Sequence, residues 1–147
     1  MEKRAHAHTI QAMMNIVLDT NCLLMSLSRR SQYYPIWRDF VDGKYTLCIS
    51  NDILAEYEEI LTQKVGPQIV SNIIKALLDL PNTKMVQVYY HLHLITADPD
   101  DDKFVDCAFK SNAKYIVTQD HHYDVLRNIH FPQIEVVDID EFLRILR

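Results

Sequence analysis

Short apolar runs alternate along the chain with segments of helical periodicity, and this alternation restricts the possible folds more than any other feature. Most of the runs are continuous, which is typical of strands buried on both faces of a sheet. The predicted strands are Asn15–Leu18, Tyr45–Ile49, Lys84–Tyr89, Tyr115–Val117 and Ile134–Val137. The predicted helices are Thr20–Leu27, Ile36–Val41, Ile53–Thr62, Pro67–Leu80, Asp101–Ser111, Tyr123–Arg127 and Glu141–Leu146.

Strands that alternate with helices imply right-handed crossovers and a mainly parallel sheet that is covered on both faces. The predicted fold class is therefore α/β, a three-layer α/β/α arrangement around a central sheet with Rossmann-type topology. The chain has 147 residues and no visible linker or repeat, which suits one domain over residues 14–147. Residues 1–13 precede the first strand pattern and are predicted to form an N-terminal extension.

Two acids stand where predicted strands end. Asp19 closes the first strand, and Asp120 follows the fourth after Thr118 and Gln119. Ligands of open α/β sheets bind beyond the carboxyl ends of the strands, so both acids are expected at the same edge. Carboxylates repel one another and cost free energy to bury, and their convergence favours a hard divalent cation.

A third acid, Glu56, lies inside the apolar stripe of a predicted helix, between Ile53 and Ile60. An inward-facing carboxylate needs a partner, and no basic residue lies within one helical turn on either side. A metal ion would serve as that partner. The alternative is a glutamate at the edge of the stripe that extends into solvent.

The densest acidic run is Asp98–Asp102, at the start of a predicted helix. Acids cap helices and complement the helix dipole, which accounts for part of the run. Three consecutive acids exceed what a cap needs. Asp101 lies four residues before Val105 on the apolar side of the helix, and Asp102 is the second candidate for an inward position. Asp106 is expected to be solvated.

The pair His121-His122 follows Asp120 directly. No matched histidine or cysteine stands at a zinc-type spacing, so both are interpreted as loop residues. His122 is the better candidate of the two for a contact with substrate.

Composition excludes several classes of protein. The chain has only two glycines, which excludes the glycine-rich phosphate loops of Rossmann and P-loop proteins. A net charge of -5 argues against a basic protein that coats nucleic acid, although bound cations could reverse the charge of a nuclease site. The three dispersed cysteines are expected to be buried thiols. With neither a membrane span nor a signal-peptide pattern, a cytoplasmic protein is predicted.

Four strings, in order along the chain, resemble the acidic motifs of the PIN-domain family. Ile16–Asn21 is similar to the opening strand and Ile53–Tyr57 to the second motif. Asp98–Phe104 resembles the third motif in the branch of toxin–antitoxin toxins, and Tyr115–Asp120 resembles the fourth. One departure is Gln119, where that branch often has glycine before the last acid.

The resemblance implies a metal-dependent endoribonuclease that uses Mg²⁺ or Mn²⁺. The catalytic and metal-binding acids that it implies are Asp19, Glu56, Asp101 and Asp120, with Asp102 as a further metal ligand. Asn21 and Thr118 are candidates to orient those ligands. The implied partners are an RNA substrate and an antitoxin protein, and a homo-oligomer remains open.

Two other classes of function stay open at this point. A non-catalytic module could use the same acidic pocket to bind a metal or a partner without turnover, which the acidic net charge favours. A receiver-type signalling domain would need an acid pair near the first strand, whereas the chain offers only Asp19 there.

Overall fold

The computed structural model describes residues 13–95, 98–129 and 133–147. The predicted N-terminal extension therefore lies, except for Met13, outside the described residues. The strands form a parallel sheet in the order β3-β2-β1-β4-β5, which confirms the predicted α/β fold class. The strands are β1 (Asn15–Leu18), β2 (Thr46–Ile49), β3 (Thr83–Met85), β4 (Tyr115–Val117) and β5 (Val136–Val137).

Helices connect these strands and cover the sheet. The α-helices are α1 (Thr20–Ser26), α2 (Tyr34–Val41), α3 (Asn51–Val65), α4 (Pro67–Asp79), α5 (Asp102–Ser111) and α6 (Ile139–Ile145). Two 3₁₀ segments span Pro99–Asp101 and His121–Asn128. From β1 to β3 each new strand is added toward one edge of the sheet, whereas β4 and β5 are added on the other side of β1. Right-handed crossovers therefore put α1 to α4 on one face of the sheet and α5 on the other.

The core is centred on β1, whose Ile16 and Val17 are fully buried. Ile16 pairs with Leu47 of β2 on one side and with Tyr115 of β4 on the other. Burying each large aliphatic side chain contributes about 1.5–3 kcal/mol, so the carboxyl end of this strand is held firmly in place. The strand order reverses between β1 and β4, and a crevice at their carboxyl ends is the expected ligand site.

The segment after β3 differs from the prediction. Lys84–Tyr89 was expected to be a strand, but β3 ends at Met85. Val86 still donates its N–H to the Ile49 carbonyl at 2.8 Å, and the described residues 87–95 have no regular structure. Further along, the backbone N–H groups of Leu92 and Ile95 donate to carboxylates of α5 instead of to a neighbouring strand.

Local capping explains two other shifts in element boundaries. Helix α6 begins at Ile139 rather than at Glu141, because Asp138 and Glu141 form a reciprocal capping box at its start. The predicted helix Tyr123–Arg127 is a longer 3₁₀ segment, which Asp120 caps by accepting the N–H of His122.

The cysteines and the lengths of the helices bear on two expectations from the sequence. All three cysteines are buried free thiols, as predicted. None of the described helices combines the length and apolar character needed to span a membrane.

Candidate functional site

Asp19 lies at the carboxyl end of the central strand and is buried. Its Oδ2 accepts a hydrogen bond of 2.6 Å from the hydroxyl of Thr118, which follows β4. Its Oδ1 accepts the backbone N–H of Asn21 at 3.3 Å, so this carboxylate caps α1. Asn21 contributes this backbone contact while the residue itself is exposed. Burial raises the pKa of Asp19, and the charges of Glu56 and Asp120 add to that effect.

Asp120 lies beside Asp19 because β4 pairs with β1. Its backbone N–H donates to the Thr118 hydroxyl oxygen at 3.0 Å. One hydroxyl therefore donates to the first acid and accepts from the backbone of the second. Thr118 thus fixes the relative positions of two acids that are distant in sequence.

Asp101 ends the 3₁₀ turn Pro99–Asp101, and its Oδ2 lies 3.5 Å from the ring of His122, which also contacts Asp120. Only 15% of its side chain is exposed. Its Oδ2 is buried and has no hydrogen-bond partner among the described residues. Burial raises the pKa of Asp101 to about 7, with contributions from the charges of Asp120 and Asp98. A buried carboxylate oxygen without a partner is costly, and a cation would remove that cost.

The phenol of Tyr123 lies close to these acids. Its hydroxyl donates to the Asp101 backbone carbonyl at 3.2 Å, and the side chain is fully buried. Burial raises the pKa of Tyr123 strongly. Smaller contributions come from the charges of the four acids predicted from sequence, which are Asp19, Asp101, Asp120 and Glu56. The four acids therefore lie in the same region of the molecule as this phenol.

Glu56, on α3, has a protein partner that the sequence reasoning missed. Its Oε1 lies 2.8 Å from the ammonium of Lys103 on α5, and its Oε2 accepts a hydrogen bond from the Thr20 hydroxyl. About a fifth of each charged side chain is exposed, at 23% for Glu56 and 22% for Lys103. The pattern of one helix indicates basic partners only within a helical turn of Glu56, whereas Lys103 is 47 residues away. The available signal was that this lysine directly follows the acidic run.

Asp102 and Asp106 face the irregular segment after β3. Asp102 Oδ1 accepts the N–H of Ile95 at 2.8 Å, and Asp106 Oδ1 accepts the N–H of Leu92 at 2.9 Å. The prediction that Asp106 is solvated is wrong, because it is 3% exposed. Both acids line a cavity of about 220 Å³ that also contacts Lys103. These carboxylates therefore bind the backbone of the irregular segment to α5.

His122 lies between two of the acids. Its Nδ1 is 3.2 Å from Asp120 Oδ1 and 3.5 Å from Asp101 Oδ2. Ligand atoms of Asp98, Asp101 and His122 lie within 4.8 Å of one another. From the sequence, His122 was predicted to be the better candidate of the two histidines for a contact with substrate, and its membership of this group was not predicted. Oxygen and imidazole donors in such a group suit a divalent cation.

Comparisons with known proteins bear on the fold of this chain. A family model described as "PIN domain" matches residues 15–122. A search of curated proteins finds no match.

Solved structures support the same fold. A structure of VapBC2 from Rickettsia felis bound to a promoter DNA fragment matches with a TM-score of 0.59 and 17% identity, over 85% of this chain and 98% of that one. DNA-bound VapBC from Salmonella typhimurium matches with a TM-score of 0.56 and 15% identity, over 86% and 99%. The PIN domain endonuclease Utp24 matches with a TM-score of 0.51 and 15% identity, over 84% of each chain.

Proposed function

The chain belongs to the PIN-domain family, whose model matches most of its length, and we propose that it is a metal-dependent endoribonuclease. It would hydrolyse RNA phosphodiester bonds as a hydrolase. The observation that carries the proposal is the convergence of three acids from separate segments. The Thr118 hydroxyl binds Asp19 and the backbone of Asp120. The His122 ring lies 3.2 Å from Asp120 and 3.5 Å from Asp101. Acids that are buried or half-buried and repel one another have no packing benefit, so a function that needs them is favoured. An endonuclease among the structural neighbours supports the same chemistry.

The residues fit a divalent cation. Asp19, Asp101 and Asp120 would hold Mg²⁺ or Mn²⁺ through carboxylate oxygens, which hard cations prefer. The buried, unpartnered Oδ2 of Asp101 is the group that a cation would most directly stabilise. When bound, such an ion lowers the pKa of a coordinated water and neutralises charge that develops on the phosphate.

The chain's own residues hold this acid set in place. Thr118 orients Asp19 through a hydrogen bond to Oδ2, and it holds the backbone of Asp120. The ammonium of Lys103 holds Glu56 and brings a positive charge to the crevice. That charge would favour the approach of a phosphate to a chain with a net charge of -5. Asn21 would help to orient Asp19 through its backbone N–H.

The experiment is cleavage of a mixed set of RNA substrates with Mg²⁺ or Mn²⁺, compared with EDTA and with Asp101→Asn. Loss of cleavage in both comparisons is expected. Asp124→Asn is the matched control, because this exposed acid pairs with Arg127 outside the acid group. Cleavage that persists in EDTA, or in Asp101→Asn, would show that the proposal is wrong.

A narrower proposal is that the protein is the toxin of a toxin–antitoxin pair. Its support is that several similar structures are VapBC complexes. The test is whether a small DNA-binding protein encoded next to it binds this chain and suppresses RNA cleavage. An isolated gene whose product cleaves RNA without harm to growth would favour an enzyme of RNA processing.

One observation favours a second candidate, a metal- or partner-binding module without turnover. Both carboxylate oxygens of Glu56 are already engaged, by Lys103 and by Thr20. An acid that is neutralised by the protein contributes less to a catalytic centre. Titration with Mn²⁺ alongside the cleavage assay separates the two, because binding without cleavage supports the module.

We also propose that the protein works in a reducing compartment, the cytoplasm. The support is that Cys22, Cys48 and Cys107 are all buried free thiols. Fractionation followed by detection of the protein with an antibody would test this location. A homo-oligomer is a further proposal, which sedimentation of the purified protein would test.

A further inference from the structure

We propose that His122 is a ligand of the divalent ion and that it makes the site prefer Mn²⁺ to Mg²⁺. The inference rests on the proposed nuclease function, since it concerns the ion of the same site. The acids of the four motifs are all oxygen donors, and His122 would add one nitrogen. A histidine ligand changes which metal the site selects, so the two proposals can be tested separately.

The position of the ring is the first support. Its Nδ1 lies 3.2 Å from Asp120 Oδ1 and 3.5 Å from Asp101 Oδ2. Two ligand atoms at adjacent corners of an octahedron, with bonds of about 2.1 Å, lie about 3 Å apart. The separation from Asp120 is close to that value, and the separation from Asp101 is about 0.5 Å longer. Ligand atoms of Asp98, Asp101 and His122 also lie within 4.8 Å of one another.

The backbone around His122 is fixed on both sides of the ring. Its own N–H donates to Asp120 Oδ1 at 2.9 Å. The next residue, Tyr123, is fully buried and donates to the Asp101 carbonyl. The backbone of the histidine is therefore held between the same two acids whose carboxylates flank its ring. A fixed backbone limits the positions that the ring can reach, so less conformational entropy is lost when it binds an ion.

An unpartnered oxygen is the second support. Asp101 Oδ2 is buried without a hydrogen bond among the described residues. The ring nitrogen of His122 is 3.5 Å from it, beyond the usual range of an N–H···O bond. A cation between the two atoms would contact both and give Asp101 Oδ2 the partner that it lacks.

The chemistry of the donors sets the expected selectivity. Mg²⁺ keeps an oxygen shell and binds through carboxylates and water, whereas imidazole is a common ligand of transition metals. Replacing one oxygen donor by an imidazole therefore favours Mn²⁺ over Mg²⁺. If His122 instead acts as a cationic partner of the acids, it competes with every divalent ion equally.

The test is calorimetric titration of Mn²⁺ and of Mg²⁺ into the metal-free full chain, for wild type, His122→Ala and His121→Ala. We expect His122→Ala to weaken Mn²⁺ binding by about tenfold or more and to change Mg²⁺ binding by less than about threefold. His121 is the matched control, because its exposed ring pairs with Asp124 rather than with the acid group. An unchanged ratio of the two affinities in His122→Ala overturns the assignment, and so does tighter binding of both ions.

A spectroscopic readout does not depend on activity. Electron spin echo envelope modulation of the Mn²⁺-loaded wild type should contain the signal of a coordinated imidazole nitrogen, which His122→Ala should abolish and His121→Ala should retain. His122→Asn keeps a polar side chain and replaces the alanine variant if circular dichroism finds that variant unfolded. A wild type that binds neither ion contradicts the proposed function itself. A wild type that binds Mn²⁺ and cleaves RNA without the nitrogen signal contradicts only the role of His122.

Discussion

The ammonium nitrogen of Lys103 lies 2.8 Å from Oε1 of Glu56, and this ion pair joins α5 to α3. Burial alone would lower the pKa of Lys103, but the hydrogen bond and the charge of Glu56 outweigh it and raise that pKa. The pair therefore brings a stable positive charge next to acids that otherwise repel one another. It also means that Glu56 is neutralised by the protein in the absence of a metal.

Lys103→Met should destabilise the metal-free protein. The change leaves the Glu56 carboxylate without the Lys103 ammonium. The unpaired negative charge of Glu56 then repels the Asp19 carboxylate more strongly. We expect the free energy of unfolding in EDTA to fall by about 1 kcal/mol, a modest amount because both side chains of the pair are partly exposed. Urea denaturation at neutral pH measures it. Lys110→Met on the same helix is the control, since that lysine lies over the Tyr89 ring instead. Equal losses in the two variants would contradict a specific role for the pair.

Asp19→Asn should separate stability from activity. Burial raises the pKa of Asp19, so the folded protein holds its charged form at a cost that a neutral amide removes. The amide also replaces one of two hydrogen-bond acceptors by a donor, which offsets part of this gain. We expect a change in stability within about 1 kcal/mol of the wild type in EDTA, together with a loss of RNA cleavage of about 100-fold or more. Denaturation and cleavage are measured on the same preparation. Wild-type cleavage by Asp19→Asn with Mn²⁺ present would remove this residue from the catalytic set.

The stability of the metal-free protein should fall as the pH rises from about 4 to about 7. The pKa of Asp101 is 3.8 without the protein environment and about 7 in the fold. Between these values the folded state binds more protons than the unfolded state, so the free energy of unfolding decreases with pH. Solvent screening limits the effect of this residue to roughly 1 kcal/mol.

This pH dependence can be assigned to Asp101 by comparison with Asp101→Asn. Urea denaturation in EDTA at about pH 5 and about pH 7.5 gives the change for each protein. The asparagine variant should have a smaller decrease, because its amide does not titrate. The titration of groups distant from Asp101 is common to both proteins and cancels in the comparison, so the difference belongs to Asp101 together with the acids that interact with it. An equal decrease in the two would mean that the raised pKa does not arise at Asp101.

The parts of the molecule that could be predicted from sequence are those that depend on strand order. Asp19 and Asp120 end parallel neighbouring strands, and the structure places them on either side of the Thr118 hydroxyl. Contacts between distant segments could not be predicted in this way. The partner of Glu56 comes from another helix, and periodicity within one helix carries no information about it. The alternation in Lys84–Tyr89 predicted a strand, but the strand ends at Met85. After Tyr89, carboxylates of α5 bind the backbone N–H groups of Leu92 and Ile95.

Thr118→Val should weaken catalysis more than it weakens the fold. The hydroxyl donates to Asp19 Oδ2 and accepts the N–H of Asp120, and valine has nearly the same shape without either bond. We expect a stability loss of about 1–2 kcal/mol and a cleavage loss of about 10–100-fold. Thr62→Val is the matched control, because that hydroxyl bonds only to the Glu58 carbonyl within α3. If both variants cleave RNA at the wild-type rate, the bridge by Thr118 does not orient the acids.

Asp102→Ala should loosen the segment before α5 while it retains more cleavage than Asp101→Asn. Asp102 Oδ1 accepts the N–H of Ile95 at 2.8 Å, whereas Asp101 Oδ2 lies buried and unpartnered in the acid group. Loss of that acceptor should cost about 1–3 kcal/mol and speed amide hydrogen exchange at Ile95. Asp102→Asn keeps an oxygen acceptor and should preserve slow exchange. If Asp102→Asn abolishes cleavage while Ile95 stays protected, Asp102 acts as a metal ligand and the two neighbouring acids exchange roles.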